Sequence, residues 1–161
     1  MAIRNIREDG DEILRKISKP VTVFDRKLWE LLDDMADTMA EANGAGLAAV
    51  QVGVLRRAFV VDVGDGLMEF VNPQILEASG EQTGVEGCLS FPGQWGMVTR
   101  PNHIKIKAQD RHGSWFEAEG EGLCARAMIH EAEHLDGKVF TDTGCRMLSE
   151  DEAEKLFQKQ N

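Results

Sequence analysis

Two pairs of extended segments, each joined by a short turn, constrain the fold of this chain more than any other feature. Residues 58–63 are apolar and rich in valine, and after a Gly-Asp-Gly turn the extended pattern resumes over 67–71. Residues 104–108 alternate between apolar and charged side chains, and the pattern returns over 115–119 after a second turn. Extended segments joined by such turns pair as antiparallel hairpins. The sequence therefore predicts antiparallel β-sheet, with one face of the second hairpin exposed to water.

The clearest helix pattern covers residues 25–43. Its apolar side chains recur at three- and four-residue spacing, which places them on one helix face. They are Leu28, Leu31, Leu32, Met35 and Met39. Asp25 is placed to accept hydrogen bonds from the first free backbone N–H groups, and Gly44 suits the C-terminal end. We predict an N-terminal helix whose apolar face packs in the core.

Two further helix patterns follow in the later part of the chain. Residues 123–135 predict a helix that ends before Gly137, and Ser149 with Glu152 forms a capping box that begins a short C-terminal helix. Helices combined with hairpin-paired strands indicate the α+β class. We expect an α+β fold in which antiparallel β-sheets wrap around a central helix at 123–135, with an N-terminal helix and a short C-terminal helix.

Length, charge and cysteine content limit the class of protein. The 161 residues fit a single domain, 1–161, and 42% hydrophobic with 29% charged residues is typical of soluble globular proteins. A net charge of −10 argues against binding to DNA, and no apolar stretch is long enough to cross a membrane. An odd set of three cysteines favours reduced thiols and a cytoplasmic location.

Two histidines in the predicted central helix form a candidate metal site. His130 and His134 are four residues apart, so both imidazoles lie on one face and can bind the same ion. Glu131 follows the first histidine and is rotated about 100° around the helix. From there its carboxylate can reach water at the metal without being a ligand. This pattern is typical of hydrolytic metal sites.

The third protein ligand decides the class of metal site. A third histidine six residues after the second would indicate a metzincin, but Phe140 occupies that position. A thermolysin-like endopeptidase would use a later glutamate, for which the candidates are Glu150, Glu152 and Glu154. Cys88 is another candidate, in a Glu-Gly-Cys-Leu-Ser segment that we expect to be a loop. A buried, inert cysteine is the competing interpretation.

A segment of small residues, 44–51, reads Gly-Ala-Gly-Leu-Ala-Ala-Val-Gln. Small side chains leave the backbone accessible, so that another peptide can pair along it. Gln51 ends the segment with amide donors able to polarise a carbonyl group. Taken alone, the segment is better explained as a packed loop after the helix.

Taken together, the segments 44–51, 86–90 and 130–134 occur in the order and approximate spacing of peptide deformylases. The chain resembles that family over most of its length. The resemblance implies a metal-dependent enzyme of the same α+β fold. It would remove the N-formyl group from the initiator methionine of nascent chains in the cytoplasm and release formate.

The resemblance also implies roles for individual residues. It assigns Cys88, His130 and His134 as metal ligands, Glu131 as general base, and Gln51 with the backbone N–H of Leu89 as oxyanion donors. It assigns substrate binding to Gly44, Ala45, Gly46, Leu47, Gly87 and Arg100. The native ion it implies is Fe²⁺, although two imidazoles and a thiolate also suit Zn²⁺, Ni²⁺ or Co²⁺.

Some positions depart from the family pattern. Glu133 stands where Asp is common, so we expect a hydrogen bond behind the ligands to differ in geometry, and Ala45 replaces a bulkier aliphatic residue. These departures leave open a catalytically weakened member that only binds peptide N-termini. Arg126, one turn before His130, is placed to pair with Glu86.

Residues 141–161 bear on the partners of the chain. They carry five acidic side chains and three basic ones. Ribosomal RNA repels such a segment at short range, so no tight contact with rRNA is predicted from it. The partners expected are a formyl-Met peptide and nascent chains at the ribosome.

Overall fold

The computed structural model describes residues 2–160, which form three α-helices and two β-sheets. The helices are α1 (Arg26–Glu41), α2 (Leu123–His134) and α3 (Glu150–Gln160). The strands are β1 (Gly46–Ala48), β2 (Ala58–Val61), β3 (Met68–Ser79), β4 (Gln82–Cys88), β5 (Phe91–Arg100), β6 (His103–Gln109), β7 (Trp115–Glu121) and β8 (Arg146–Leu148). Short 3-10 helices cover Glu12–Arg15, Ala49–Val52 and Phe140–Thr143.

The first sheet has five strands in the order β1-β2-β3-β6-β7, and each neighbouring pair is antiparallel. Both predicted hairpins are confirmed as β2–β3 and β6–β7, with Val60 opposite Glu69 and Ile106 opposite Ala118. The strand β1 lies at the edge of this sheet. Its outer side therefore has no strand partner among the described residues.

The second sheet has three strands in the order β4-β5-β8, again antiparallel. This corrects the expectation of a loop around Cys88, since this residue ends β4 and lies opposite Phe91 across a tight turn. Four glycines interrupt the apolar pattern of β4 and β5 and hide their strand character; they are Gly84, Gly87, Gly93 and Gly96.

Helix α1 forms where the apolar stripe predicts it. The Asp25 carboxylate accepts a hydrogen bond from the Leu28 N–H at 3.2 Å, which confirms the N-terminal cap. The stripe is buried against β1 and β2. The C-terminal end differs from the prediction, because Asn43 and not Gly44 has the left-handed backbone conformation, with φ of 55°. Asparagine tolerates this conformation better than most residues.

Helix α2 contacts both sheets. Ala125 and Met128 are fully buried against the five-stranded sheet. On another side of the helix, Arg126 and His130 reach Glu86 of β4 in the three-stranded sheet. The pairing of Arg126 with Glu86, at 2.9 Å, confirms the contact expected from the sequence. Side chains of α2 therefore meet the end of β4, where Cys88 lies.

Helix α3 begins at the predicted capping box. The Glu152 N–H donates to Ser149 Oγ at 3.1 Å, and the Ser149 N–H donates to Glu152 Oε1 at 3.2 Å. The apolar side of α3 packs on the second sheet, where Phe157 meets the Trp95 ring edge-on at 5.4 Å between centroids. Across residues 2–160, no helix is long and apolar enough to cross a membrane.

Candidate metal centre

Three potential ligand atoms converge where the end of β4 meets α2. Cys88 Sγ lies 3.3 Å from His134 Nε2, which lies 3.2 Å from His130 Nε2. The helix provides both imidazoles one turn apart, while the last residue of β4 provides the thiol. Among the described residues, these three form the group of His, Cys, Asp and Glu side chains that is able to hold a metal ion.

The spacing of these atoms fits a divalent cation. In a tetrahedral site, metal–nitrogen bonds of about 2.0–2.1 Å and metal–sulfur bonds of about 2.3 Å put neighbouring ligand atoms about 3.3–3.6 Å apart. Two of the three separations, 3.2 Å between the histidine nitrogens and 3.3 Å from Cys88 Sγ to His134 Nε2, are close to these edges, and all three atoms lie within 4.8 Å of one another. A set of three protein ligands also leaves a fourth position for water or substrate, as hydrolytic metal sites require.

The charge around the two imidazoles also favours a cation. Burial opposes protonation of His130, but Glu131, Cys88 and Glu86 outweigh it and raise its pKa well above the usual value. The site therefore attracts positive charge. Burial and the neighbouring His130 lower the pKa of His134 well below the usual value, so this ring is neutral. Metal binding requires neutral imidazoles, and the ion replaces the positive charge that a proton would supply.

Glu86 orients the first histidine. His130 Nδ1–H donates to Glu86 Oε2 at 2.7 Å, which leaves Nε2 directed at the other ligand atoms. Burial opposes ionisation of Glu86, but hydrogen bonds from His130 and Arg100 hold its pKa at about 2. The carboxylate is therefore ionised at neutral pH. An ionised partner fixes the tautomer and the direction of the imidazole.

Arg100 binds the same carboxylate that orients His130. Its guanidinium donates to Glu86 through Nε at 3.1 Å and Nη2 at 2.7 Å, and Nη1 pairs with Glu133. Glu133 therefore forms a hydrogen bond behind the ligands, and its partner is Arg100. Arg100 is only 5% exposed, so its two carboxylate partners account for its burial.

Glu131 is held beside the ligands by burial and by a glycine. It is 4% exposed, and its Oε1 has no hydrogen-bond partner among the described residues. Burial raises the pKa of this carboxyl to about 7, against the opposing effect of His130. A Cβ atom on Gly46 would lie 2.5 Å from Glu131 Oε2, so only glycine leaves room for the carboxylate here.

Gln51 is fixed in one orientation next to the cysteine. Its Oε1 accepts from the Ala48 N–H at 2.9 Å, which identifies Nε2 as the atom that faces Cys88 Sγ at 3.5 Å and Ser90 Oγ at 3.0 Å. Leu89 follows the cysteine in the turn between β4 and β5. The predicted oxyanion donors are therefore neighbours of the metal ligands.

The edge strand β1 runs along the same region. Ala45 O accepts from the Asp62 N–H at 2.9 Å, so residue 45 directs its carbonyl toward β2. Backbone groups alternate in direction along an antiparallel strand, so those of Gly46 face the open side of the edge. This side is available to a further strand, as in the binding of extended peptides by β-addition.

A cavity of about 450 Å³ lies next to the ligands. The predicted residues that line it are Gly44, Ala45, Gly46, Gln51, Gly87, Cys88, Leu89, His130 and Glu131. Of the predicted substrate-binding residues, Leu47 and Arg100 lie outside the lining and are buried. The side chain of Leu47 belongs instead to the core that packs against α1.

The structure does not support the thermolysin-like third ligand. Glu152 serves the capping box and pairs with Arg146 at 3.0 Å, while Glu150 and Glu154 are exposed on α3. None of the three belongs to the group that converges on the histidines within residues 2–160.

Two aromatic residues, Trp95 of β5 and Phe157 of α3, also line the cavity, and Phe157 was missed from the sequence. A Cβ atom on Gly87 would overlap the Trp95 ring, so this glycine allows the close approach. Neither aromatic residue follows a recognisable pattern, because each reaches the cavity through contacts between distant elements. The N-terminal segment also supports the site, since the Arg7 N–H donates to Gln51 O at 2.6 Å.

Comparison with known proteins agrees with this geometry. The family described as polypeptide deformylase matches residues 3–150. The peptide deformylase of Acetivibrio thermocellus is 57% identical over 155 residues, which are 96% of this chain and 91% of that protein. Peptide deformylase 1 of Bacillus subtilis is 51% identical over 154 residues, or 94% of this chain and 96% of that one.

Solved structures show the same fold. The crystal structure of peptide deformylase from Thermotoga maritima superposes with a TM-score of 0.86 at 44% identity, covering 88% of this chain and 97% of that one. The crystal structure of a peptide deformylase from Legionella pneumophila superposes with a TM-score of 0.85 at 44% identity, covering 98% of this chain and 92% of that one. Likeness of this extent, in sequence and in fold together, shows that the chain belongs to the peptide deformylase family.

Proposed function

We infer that this protein removes the formyl group from the N-terminal formylmethionine of nascent polypeptides, by hydrolysis at a metal centre of Cys88, His130 and His134. The single observation that carries this function is the convergence of these three ligand atoms beside Glu131, in a chain of the peptide deformylase family. When bound, the ion supplies Lewis acidity: it polarises the formyl carbonyl and makes water nucleophilic near neutral pH.

The substrate is proposed to bind as an additional strand along β1. The backbone groups of Gly46 face the open side of this edge and support its proposed role, whereas those of Ala45 face β2. The proposed roles of Gly44, Ala45 and Leu47 depend on the position of their segment along the edge. The methionine side chain then occupies the cavity next to Gly87. In this pose the formyl group lies by the metal ligands. Arg100 does not contact the substrate in this proposal, and instead positions Glu86.

Glu131 is proposed to move the proton during hydrolysis. Its Oε1, which has no hydrogen-bond partner in the described part of the chain, takes a proton from the attacking water and later delivers it to the amine that leaves. Formate and a free methionine amine are the products. A pKa of about 7 suits both transfers, because the carboxyl can accept and release a proton near neutral pH.

Gln51 Nε2 and the Leu89 backbone N–H are proposed to donate to the oxygen that becomes negative as water adds. Gln51 is suited to this role because the Ala48 N–H holds its amide oxygen on the opposite side. A donor fixed before reaction needs no reorientation when charge develops. Loss of one such donor typically lowers the rate about 10²–10³-fold.

Iron(II) is the ion we propose for the native enzyme, with Zn²⁺, Ni²⁺ and Co²⁺ as alternatives. Two imidazoles and one thiolate form a mixed donor set that suits each of these ions. The cytoplasm is the proposed location, which the three free cysteines support. Because the exposed side of α3 is acidic, we propose that it makes no tight contact with rRNA.

We also propose that residues 1–161 form one domain with α2 at its centre. The contacts of α2 with both sheets support this arrangement, since its buried residues join the large apolar core on one side and Glu86 on another. The metal site thus lies between the two sheets.

The function is tested by loading the purified protein with Fe²⁺ under anaerobic conditions, or with Ni²⁺, and supplying formyl-Met-Ala. Release of formate, with metal content measured by elemental analysis, is the expected result. Acetyl-Met-Ala and a peptide with blocked ends are the control substrates. Cleavage of internal bonds without formate release would contradict deformylation. A metal-loaded protein that binds formyl-Met-Ala without hydrolysing it would indicate the weakened, binding-only alternative.

A further inference from the structure

Ser90 is a buried residue of the turn between β4 and β5, two positions after Cys88. Its Oγ accepts a hydrogen bond from Gln51 Nε2 at 3.0 Å. The two side chains come from distant parts of the chain, and Gln51 is buried as well. A hydrogen bond between two buried side chains restricts both of them, because neither can exchange its partner for water.

The hydrogen bonds of Gln51 account for most of its side-chain amide. This planar group has one oxygen acceptor and two N–H donors on the nitrogen. The oxygen accepts from the Ala48 N–H at 2.9 Å, and Ser90 takes one donor. Two contacts at different atoms fix the plane of the amide, so the second N–H has a set direction. Cys88 Sγ, a predicted metal ligand, lies 3.5 Å from this nitrogen.

The N-terminal segment holds the backbones of both partners. The Arg7 N–H donates to Gln51 O at 2.6 Å, and the Asp9 N–H donates to Ser90 O at 2.7 Å. Gln94 Nε2 also donates to Asp9 Oδ2 at 3.1 Å, which connects this segment to β5. These bonds fix Gln51 and Ser90 relative to each other. The serine hydroxyl is therefore an acceptor at a fixed position beside the amide.

We propose that Ser90 is a positioning residue for the proposed reaction: its hydroxyl holds one N–H of Gln51, so that the other is directed at the oxygen that becomes negative as water adds. This inference rests on the proposed role of Gln51 as an oxyanion donor. Such a donor is most effective when it is in place before charge develops. Without the hydroxyl, the amide keeps its bond to the Ala48 N–H and can turn about it.

The expected effect is smaller than that of losing the donor. Loss of an oxyanion donor lowers the rate about 10²–10³-fold, whereas a freed amide still adopts the active orientation part of the time. One hydrogen bond, at the upper end of its usual strength, corresponds to a change in population of about 10-fold. We therefore expect Ser90→Ala to lower kcat about 10-fold. KM should change little, because the donor acts mainly in the transition state.

The first measurement does not depend on activity. The side-chain amide of Gln51 is observed by heteronuclear NMR in the Zn²⁺-loaded wild type and in Zn²⁺-loaded Ser90→Ala, and its hydrogen exchange with solvent is measured. We expect exchange about 10-fold faster in Ser90→Ala, because the bond that protects one N–H is lost. Unchanged exchange in this variant would overturn the inference, whatever its activity.

Ser18→Ala is the matched control for the loss of a buried hydroxyl. Ser18 is 2% exposed, and its Oγ has no hydrogen-bond partner within residues 2–160. We expect the exchange of the Gln51 amide and kcat on formyl-Met-Ala to equal those of the wild type. A change in Ser18→Ala as large as that in Ser90→Ala would show a general effect of removing a buried hydroxyl, and would overturn the inference.

The second measurement is a double-mutant cycle, which separates positioning from a merely structural role. Gln51→Met keeps the approximate size of the side chain but has no donor. We expect Ser90→Ala to lower kcat about 10-fold in the wild type and to have no further effect in Gln51→Met. Should Gln51→Met fail to fold, Gln51→Glu replaces it, since a carboxylate keeps an acceptor for the Ala48 N–H and has no donor.

The outcomes of the cycle distinguish this inference from the proposed function. An unchanged kcat in Ser90→Ala, or an equal loss with and without Gln51, overturns the role of Ser90 alone. A wild-type kcat in Gln51→Met overturns the proposed oxyanion role of Gln51, and the inference fails with it. If the metal-loaded wild type releases no formate, the proposed function itself is contradicted, and the role of Ser90 in it as well.

Discussion

Gly46 joins the proposed substrate edge to the proposed general base. Its missing side chain lets the Glu131 carboxylate pack against β1, because a Cβ atom would lie 2.5 Å from Oε2. We predict that Gly46→Ala displaces Glu131 and lowers kcat by about 10²-fold, since an error of about 1 Å at a reacting group has that effect. Steady-state kinetics on formyl-Met-Ala measure the loss, with metal content determined on the same sample.

Gly44→Ala is the control for this prediction. A Cβ atom there meets the flexible end of the Leu89 side chain at 2.6 Å, and that side chain can move aside. We expect a smaller loss of kcat than in Gly46→Ala. Equal kcat values in Gly46→Ala and the wild type would show that the contact with Glu131 has no importance for catalysis.

Glu86 determines the direction of a metal ligand without being one. Its bond to His130 Nδ1, at 2.7 Å, fixes the imidazole whose Nε2 faces the other ligand atoms. We predict that Glu86→Gln weakens metal binding about 10- to 100-fold, the usual effect of removing such a partner. Competition with a chromophoric chelator measures the affinity.

The control variant is Glu69→Gln, which weakens an ion pair between Glu69 and Arg111 away from the ligands. Its metal affinity should equal that of the wild type. An unchanged affinity in Glu86→Gln would contradict the orienting role, and the hydrogen bond would then have a structural effect alone.

Single residues differ in how far the sequence predicts them. The three ligands follow from the i, i+4 spacing of two histidines and from the family resemblance around Cys88. The sequence also brings Arg126 together with Glu86, as the structure confirms. It does not indicate that Arg100 is buried between Glu86 and Glu133, because ion pairs between distant elements leave no periodic pattern.

At the scale of elements, the N-terminal segment is attached to α1 by the Asp34 carboxylate and by Thr38 Oγ1, which accepts from the Arg4 N–H at 2.9 Å. Asp34 accepts from the Ala2 N–H at 2.7 Å and from Arg4 Nε at 2.9 Å. Burial opposes its ionisation, but these hydrogen bonds outweigh burial and hold its pKa below the ordinary value. The same segment continues to Arg7, which bonds to Gln51. The attachment therefore stabilises one side of the site.

This attachment predicts a pH-dependent stability. Because the folded-state pKa of Asp34 is lowered, its contribution is complete above the unfolded-state pKa of about 3.9 and disappears as pH falls through the folded-state value. We expect Asp34→Asn to lower the free energy of unfolding by about 1–2 kcal/mol at pH 7. The difference from the wild type should shrink below pH 4. Urea unfolding of both proteins at pH 7 and below pH 4 measures this difference in the free energy of unfolding.

Asp37→Asn provides the control on the same helix, since Asp37 forms no ion pair with another residue of the described chain. Its effect should be within about 0.5 kcal/mol at either pH. A loss in Asp34→Asn that is equal at both pH values would contradict the ionic origin of the attachment.

Elements with strong local patterns are predicted well from the sequence, and the others are not. The stripe of α1, the hairpins β2–β3 and β6–β7, and the capping box of α3 all reappear in the structure. The strands β4 and β5 were missed because they depend on pairing with each other and with β8 more than on local preference. The contact of Phe157 with Trp95 is equally nonlocal.

At the scale of the whole molecule, the site forms where three distant parts of the chain meet. The edge strand β1, the end of β4 and the helix α2 provide the proposed peptide edge, the thiol and the imidazoles with the base. Only the folded chain brings them together, so the family resemblance was needed to connect them from sequence. A net charge of −10 does not favour binding to a phosphate backbone.

The central claim is that Glu131 moves the proton in a hydrolysis carried out at the Cys88, His130 and His134 centre. The most direct test measures formate release from formyl-Met-Ala by Glu131→Gln and by the wild type at equal metal content. Glutamine keeps the shape of the side chain but cannot take up the proton, so we predict a loss of about 10²–10⁴-fold in kcat with the metal retained. A metal-loaded Glu131→Gln that hydrolyses formyl-Met-Ala at the wild-type rate would contradict the account.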